Sequence, residues 1–215
     1  MLNLTTLEGL VYTKLNDATG EYYPDASGAL NEAQRLFVLL SLCLEKTVTF
    51  SLNGGVWAYN LLGAIPDFLL CRRIFNSLGK QLRPATIAEL QSLNSSWQTT
   101  PGTPMRYVMR GLDFLALYPQ PASADTLNIV YACCPVTMAS GSDTPQIRGS
   151  SQYALVNHAS YVLRNPEGGQ EMAKFKGYFD EFLAEAKRTG DLVRERNRDS
   201  GLETPAMPFE LQRVK

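Results

Sequence analysis

Along this 215-residue chain, apolar positions recur at three- and four-residue steps near both ends and at two-residue steps through the middle. From Leu4 to Leu15 the residues Leu7, Leu10, Val11 and Leu15 share one helical stripe, with Thr5 or Thr6 as the expected N-cap. Asn16 to Gly28 reads as a loop. Leu30, Ala33, Phe37, Leu40 and Leu44 then mark a second helix, and Leu36, Leu39 and Cys43 widen its stripe so that it should be buried on most sides. At Lys46 the period changes: Val48, Phe50 and Leu52 alternate with Thr47, Thr49 and Ser51, predicting a strand that ends at Asn53-Gly54, a hairpin-turn signal. Val56 to Leu62 fits a strand or a helical turn equally well.

Phe68 to Phe75 predicts another strand, Leu78-Gly79 its turn and Lys80 to Arg83 a return. Pro84-Ala85-Thr86 caps a short helix over Ile87 to Leu93, and Trp97 plugs the loop beyond it. After the punctuation of Pro101 to Pro104, the runs Met105 to Met109, Leu112 to Tyr118 and Thr126 to Cys134 are expected to form one antiparallel ribbon, with Pro119 to Asp125 as a connection. Leu112, Phe114, Ala116 and Tyr118 share one face of it; so do Leu127, Ile129, Tyr131 and Cys133.

Pro135 to Ser150, rich in Gly, Ser, Thr, Asp and Pro, is the best internal boundary. Beyond it Leu155, Ala159 and Val162 mark a helix over Ser151 to Arg164. Asn165 to Gly169 breaks the pattern, and Met172, Phe175, Phe179, Phe182 and Ala186 resume it, predicting a helical hairpin. From Lys187 to Arg198 this last helix is charge-rich, with Asp191 and Arg194, and Glu195 and Arg198, at pairing distance, so its end is expected to project into solvent. Ser200 to Lys215, with Pro205 and Pro208, reads as an extended arm. The fold class expected is α+β: a helical bundle from both ends of the chain, a β-rich antiparallel middle region and an extended C-terminal arm. The corresponding division is 1–45 for the N-terminal helices, 46–135 for the β-rich insertion, 136–150 for a linker, 151–198 for the helical hairpin that completes the bundle, and 199–215 for the arm.

Composition narrows the function classes. Hydrophobic residues at 45% and charged residues at 19% argue against global disorder, and a formal net charge of -1 argues against nucleic-acid binding driven by bulk basicity. No stretch approaches the roughly 20 apolar residues of a bilayer span, and Met1 to Asn16 lacks the pattern of a secretory leader, so a soluble protein made in the cytoplasm, without membrane contact, is expected. Cys43, Cys71, Cys133 and Cys134 follow no regular spacing and read as reduced core thiols.

The common catalytic patterns are absent from the sequence. No G-x-S-x-G elbow, P-loop, dinucleotide fingerprint or H-E-x-x-H occurs. His158, the only histidine, lies in a helical pattern and reads as structural, satisfied or exposed, rather than as a base. Adjacent Cys133 and Cys134 would point to opposite strand faces, poor geometry for one metal ion, so neither metal nor cofactor is expected. Glu181 and Glu185 read as a solvated face, Arg72-Arg73 and the late arginines as salt-paired surface rather than phosphate contacts beside Tyr59 or Tyr107, and Phe175, Phe179 and Phe182 as core rather than a seat for a partner helix. Asp67, Glu89 and His158 remain as the residues an unfamiliar enzyme would use.

Several blocks resemble tailed-bacteriophage head-tail adaptors, also called head-completion or connector proteins. They are Leu30 to Arg35, Ile65-Pro66-Asp67-Phe68, Pro84 to Leu90 leading to Trp97, Gly102-Thr103-Pro104 before Tyr107, Leu117-Tyr118-Pro119 before Pro121, Tyr131-Ala132 before Pro135, and Tyr153-Ala154-Leu155 before an aromatic-rich helix closing with Arg194 and Arg196. The resemblance implies a virion structural protein of the neck, between capsid and tail, and not an enzyme. It implies a self-assembled ring, commonly of about twelve copies, seated beneath the phage portal protein. Such a ring extends the DNA channel, touches the genomic DNA transiently and docks the downstream tail or nozzle protein. The portal-docking residues it implies are Arg194, Arg196, Arg198, Leu202, Pro205, Met207, Pro208, Phe209 and Leu211. A tail or baseplate component without portal contact is the alternative.

Overall fold

A computed structural model describes residues 1–17, 25–164 and 169–199. Helix α1 (Leu4–Leu15) is capped by Asn3, whose side chain accepts from the Thr6 N–H, so the cap lies two residues before the first threonine expected for it. It ends at Asn16, whose left-handed backbone (φ 56°) lets its N–H reach back to the last turn. Helix α2 (Ala26–Ser41) starts inside the expected loop and stops at Leu42, also left-handed, which leaves Leu44 outside the helix. Gly149–Ser151 forms a single 3-10 turn before α5 (Gln152–Arg164), and α6 (Gly169–Asp199) runs 31 residues. These four α-helices share one core, with Leu7, Val11, Leu30, Phe37, Leu155, Ala159 and Phe182 fully or nearly fully buried. The Asn165–Gly168 part of the expected break, and the expected arm from Ser200 on, lie outside the described residues.

The middle of the chain makes the β layers. Strands β1 (Glu45–Leu52), β3 (Phe68–Asn76) and β9 (Asp125–Cys133) form an antiparallel sheet in the order β1-β9-β3. A second sheet, in the order β2-β7-β6-β4, holds β2 (Ala58–Asn60), β4 (Arg83–Pro84), β6 (Arg106–Arg110) and β7 (Phe114–Tyr118), with only the β4–β6 pair parallel. Short β5 (Pro101–Gly102) and β8 (Gln120–Pro121) join in parallel, while α3 (Leu61–Ala64) follows β2 and α4 (Ile87–Leu93) carries a Thr86–Glu89 capping box. The undecided Val56 to Leu62 stretch is thus both strand and helical turn. Leu52, Ile74, Leu115, Leu117, Leu127 and Ile129 pack between the two sheets, and Leu90, Trp97, Val108 and Ala116 form a smaller cluster behind the second.

The α+β class is as expected; two pairings are not. Asn53-Gly54 does not make a hairpin, because only Gly55 (φ +76°) is left-handed there. The Val56 N–H returns to the Asn53 carbonyl at 3.3 Å in a type II pattern, with positive φ at the second central residue, whereas the tight two-residue hairpin turns need it at the first or at both. Glycine at 55 suits that position, and the chain leaves β1 for the other sheet. Likewise β6 and β7 pair as expected, but β9 does not join them; Pro119 to Ala124 carries the chain across to lie between β1 and β3. Alternation fixes which side chains share a face and says nothing of which strand lies alongside. It also leaves the buried side of β7 open: Leu115, Ala116 and Leu117 are buried while Leu112 and Phe114 are exposed.

The segment after β9 lies along α1 and α2. Asn31 donates to the Met138 carbonyl (3.0 Å) and accepts from its N–H (2.8 Å), Gln34 bonds both Val136 and Gln146, and the Leu4 N–H meets the Asp143 carbonyl at 2.8 Å. Met138 and Ile147 are buried in the helical core.

Candidate functional site

The end of α6 seats on the beginning of β1. Arg196 Nη2 donates to Glu45 Oε1 at 3.0 Å, Asn197 is 3% exposed, and the same Glu45 oxygen lies 3.7 Å from Arg72 Nε. The Arg72 side chain is only 7% exposed; its Nη2 donates to the Leu42 carbonyl at 3.1 Å, while Nε has no hydrogen bond. Burial lowers the Arg72 pKa, and the neighbouring Glu45 charge works against that loss. One carboxylate therefore serves two guanidiniums, and it joins the last turn of the longest helix to the sheet.

This corrects the expectation that the charged end of α6 projects into solvent. Helical spacing shows which charges can pair along one helix but not which have their counter-charge on another element. Arg194 does pair with Asp191 along the helix, as expected, and Arg198 is exposed. Further up, Gly190 faces the backbone of Ser41 and Leu40 on α2, at a spacing that would leave an added Cβ in ordinary van der Waals contact. Of the residues expected at a docking site, Arg194, Arg196 and Arg198 are thus at the end of α6, whereas Leu202, Pro205, Met207, Pro208, Phe209 and Leu211 lie outside the described residues.

The residues held back as enzyme candidates have structural work. Asp67 accepts from Lys46 Nζ (2.6 Å) and the Tyr131 hydroxyl (2.9 Å); burial raises its pKa, and these bonds, with the Lys46 charge and a backbone hydrogen bond, together outweigh that and hold it low. The Tyr131 phenol is pushed up to about 12, first by burial and then by that carboxylate. Glu89 closes the α4 capping box. Glu181 and Glu185 are not a purely solvated face: they accept from Asn157 Nδ2 and Ser151 Oγ, both at 2.8 Å, and tie α6 to α5 and to the turn before it. The phenylalanine stripe is core, with Phe182 edge-on to Phe37 at 5.9 Å. Tyr59 is engaged too, bonded to the Asn53 backbone and packed on Phe50. The cysteines are free thiols, and burial pushes the Cys71 thiol up to about 12.

His158 is neither satisfied nor exposed. It is 3% exposed, its ring centroid lies 4.6 Å from that of Phe182 and 5.9 Å from that of Phe179, and Nδ1 has no hydrogen-bond partner. Burial lowers its pKa, with Glu32 acting weakly in the other direction. The unfolded chain therefore binds this proton more readily than the native one, so stability should fall as pH drops below about 6.5, the unfolded value. His158→Phe should flatten that slope, as measured by urea denaturation across the acid range.

Among the described residues no three His, Cys, Asp or Glu side chains converge as metal ligands, and no helix is long and apolar enough to cross a membrane. A shallow cleft beside the β6–β7 turn, lined by Ala58, Arg110, Asp113 and Phe114, brings no nucleophile and base together. What the fold offers instead is surface: helices tied into a bundle, a helix end tied to a sheet, and a chain that continues beyond them. The family model for SU10 adaptor protein matches residues 2–204, nearly the whole chain, and the chain belongs to that family. No curated protein matches it. It is accordingly a bacteriophage head-tail adaptor, a structural component of the virion, and membership implies self-assembly and contact with other head or tail proteins. The blocks between Leu30 and Arg198 that resemble such adaptors fall within the matched range.

The residues missed from sequence are Glu45 and Arg72 as the seat of α6. They stand 27 positions apart in the chain and more than a hundred from Arg196, and no local pattern links them.

Proposed function

We propose that copies of this chain close into a ring beneath the portal, extend the DNA channel and present a docking surface to the next tail component. The observation that carries this is the adaptor-family match over residues 2–204. A cyclic ring needs two different, complementary surfaces on each subunit. The described fold has two different candidates: the sheet and hairpin tips of the middle region, and the end of α6 with the residues after it. Arg196 is committed to Glu45, which leaves exposed Arg198, together with Arg194 and the following Leu202, Pro205, Met207 and Pro208, as the portal-facing set, while Phe209 and Leu211 of the implied docking set are read as facing a neighbouring copy. An extended segment that orders on its partner covers a large area for few residues.

The test is electron microscopy with mass determination on complexes recovered through a tag on this chain from cells producing virions. A ring of copies on a larger portal ring is the expected result. A ring, or a single copy, recovered without portal would sink the reading. Removing Ser200 to Lys215 should abolish portal attachment and leave the circular dichroism spectrum unchanged; attachment that survives would remove the arm from the contact.

A further inference from the structure

The two outer edges of the β1-β9-β3 sheet are built differently. β3 is interrupted by register shifts between Phe68 and Leu70 and between Cys71 and Arg73, and its far end is covered by the return of Gln81 and Leu82, devices that prevent a further strand from adding. β1 has none of them. Its register with β9 runs without a shift from Glu45 opposite Ala132 to Leu52 opposite Asp125. Its only charges are Glu45, held by Arg196, and Lys46, held by Asp67, and Thr47 to Leu52 contains neither charge nor proline.

Which backbone groups face outward follows from the ladder. The Cys133 N–H donates to the Leu44 carbonyl at 3.2 Å, so the even-numbered residues of β1 bond β9 and the N–H and C=O groups of Thr47, Thr49 and Ser51 point away from it. No described residue bonds them. Beside them Val48 and Phe50, on the core face, are only half covered. The edge therefore asks for a strand with apolar residues at alternate positions.

The chain itself carries one. After Pro208 the sequence reads Phe209-Glu210-Leu211-Gln212-Arg213-Val214, where Phe209 and Leu211 alternate with Glu210 and Gln212 and no proline intervenes. We infer that residues 209–214 of a second copy of this chain add to the open edge of β1 as a fourth strand, with Phe209 and Leu211 laid beside Val48 and Phe50.

The geometry favours a second copy over the same one. α6 delivers its own continuation next to Glu45, where β1 begins. Run in parallel from there, residues 201–208 would meet the edge. Pro205 and Pro208 are three apart, so whichever set of alternate residues faces β1, one proline faces it without a donor. Run antiparallel, residue 209 must start near Leu52, about 24 Å from Glu45 over seven strand steps, and the chain must then reverse direction. The nine residues from Ser200 to Pro208 reach about 30 Å only when fully extended. A neighbour's segment meets neither restriction. The inference rests on the self-assembly implied by family membership and not on the portal contact.

Two variants test it. Thr49→Pro removes one outward N–H and leaves the backbone ladder to β9 in place, at the loss of the exposed bond from the Thr49 hydroxyl to Asn128 Oδ1 (3.0 Å); a chain ending at Pro208 removes the donated strand and nothing described. The wild-type chain should self-associate in sedimentation velocity, each variant alone should remain monomeric with an unchanged circular dichroism spectrum, and a mixture of the two should form a one-to-one dimer, because one supplies the strand and the other the edge. Wild-type chains that stay monomeric without portal, variants that associate as wild type does, or a mixture that stays monomeric would each overturn it. Should Thr49→Pro fail to fold, Leu211→Asp with the same measurements takes the place of the strand-less chain, and Thr47→Pro takes that of the edge variant. Binding to purified portal, measured separately, reports on the ring-beneath-portal reading: loss of portal binding with self-association intact sinks that reading alone.

Discussion

Phe182→Ala is expected to be the most damaging single substitution in the helical bundle, removing about 3–5 kcal/mol of stability. Phe182 has no exposed surface and sits where three elements meet, edge-on to Phe37 of α2, against His158 of α5, and on its own helix beside Phe179. Truncation leaves a cavity between helices held together by the Asn157–Glu181 and Ser151–Glu185 bonds, so the neighbours have little room to collapse into it. Against a total of about 5–15 kcal/mol for a domain, such a loss brings the protein near its unfolding threshold at ambient temperature. Urea denaturation followed by far-ultraviolet circular dichroism measures it. Leu192→Ala on the same helix, where the side chain is 44% exposed, should cost less than about 1 kcal/mol and serves as the reference. A loss for Phe182→Ala no larger than the reference would mean that the bundle does not rest on this contact.

The second large effect is expected at Glu45. Glu45→Ala takes the counter-charge from Arg72, whose guanidinium is already largely out of water, and releases Arg196 at the end of α6. Breaking a buried pair by deleting one partner costs several kcal/mol, and because Glu45 keeps some exposure a loss of about 2–4 kcal/mol is expected. Arg72→Met should be far milder. It removes the buried charge itself, fills a similar volume, and leaves Glu45 paired with Arg196. The comparison is therefore diagnostic: equal losses for the two variants would show that packing, and not the charge left behind, sets the cost. Hydrogen exchange gives a second readout, since Glu45→Ala should raise exchange in the last turns of α6 while leaving the β9 ladder protected.

How much of this was legible in the sequence depended on the range over which each contact acts. Helix α1, with its stripe of Leu7, Val11 and Leu15, coincides with its expected bounds, and α4 with its cap does too, because period and capping are written in neighbouring residues. Strands β1, β3 and β9 were legible within a residue or two for the same reason. Their arrangement was not. Alternation in β9 marks Leu127, Ile129 and Tyr131 as one buried face whether its neighbours are β6 and β7 or β1 and β3, and only the crossing through Pro119 to Ala124 decides. The seat of α6 was hidden in the same way: Glu45, Arg72 and Arg196 each look like ordinary surface charge until the fold brings them together. Family membership was legible in short blocks because those blocks are local too.

The way the bundle is drawn from the two ends of the chain sets an order of events during synthesis. Every strand of the three-stranded sheet lies between Glu45 and Cys133, so that layer has all its parts once residue 133 is free of the ribosome. The bundle cannot close then, because Leu7, Val11 and Phe37 wait for Leu155 and Phe182, which arrive last. Until the final helix emerges, the first two helices expose an apolar stripe with nothing of this chain to cover it, and a nascent subunit with its β layer formed remains unable to hold α6, and whatever follows α6, in place. A subunit competent to assemble is thus, of necessity, a subunit whose translation has passed the end of α6.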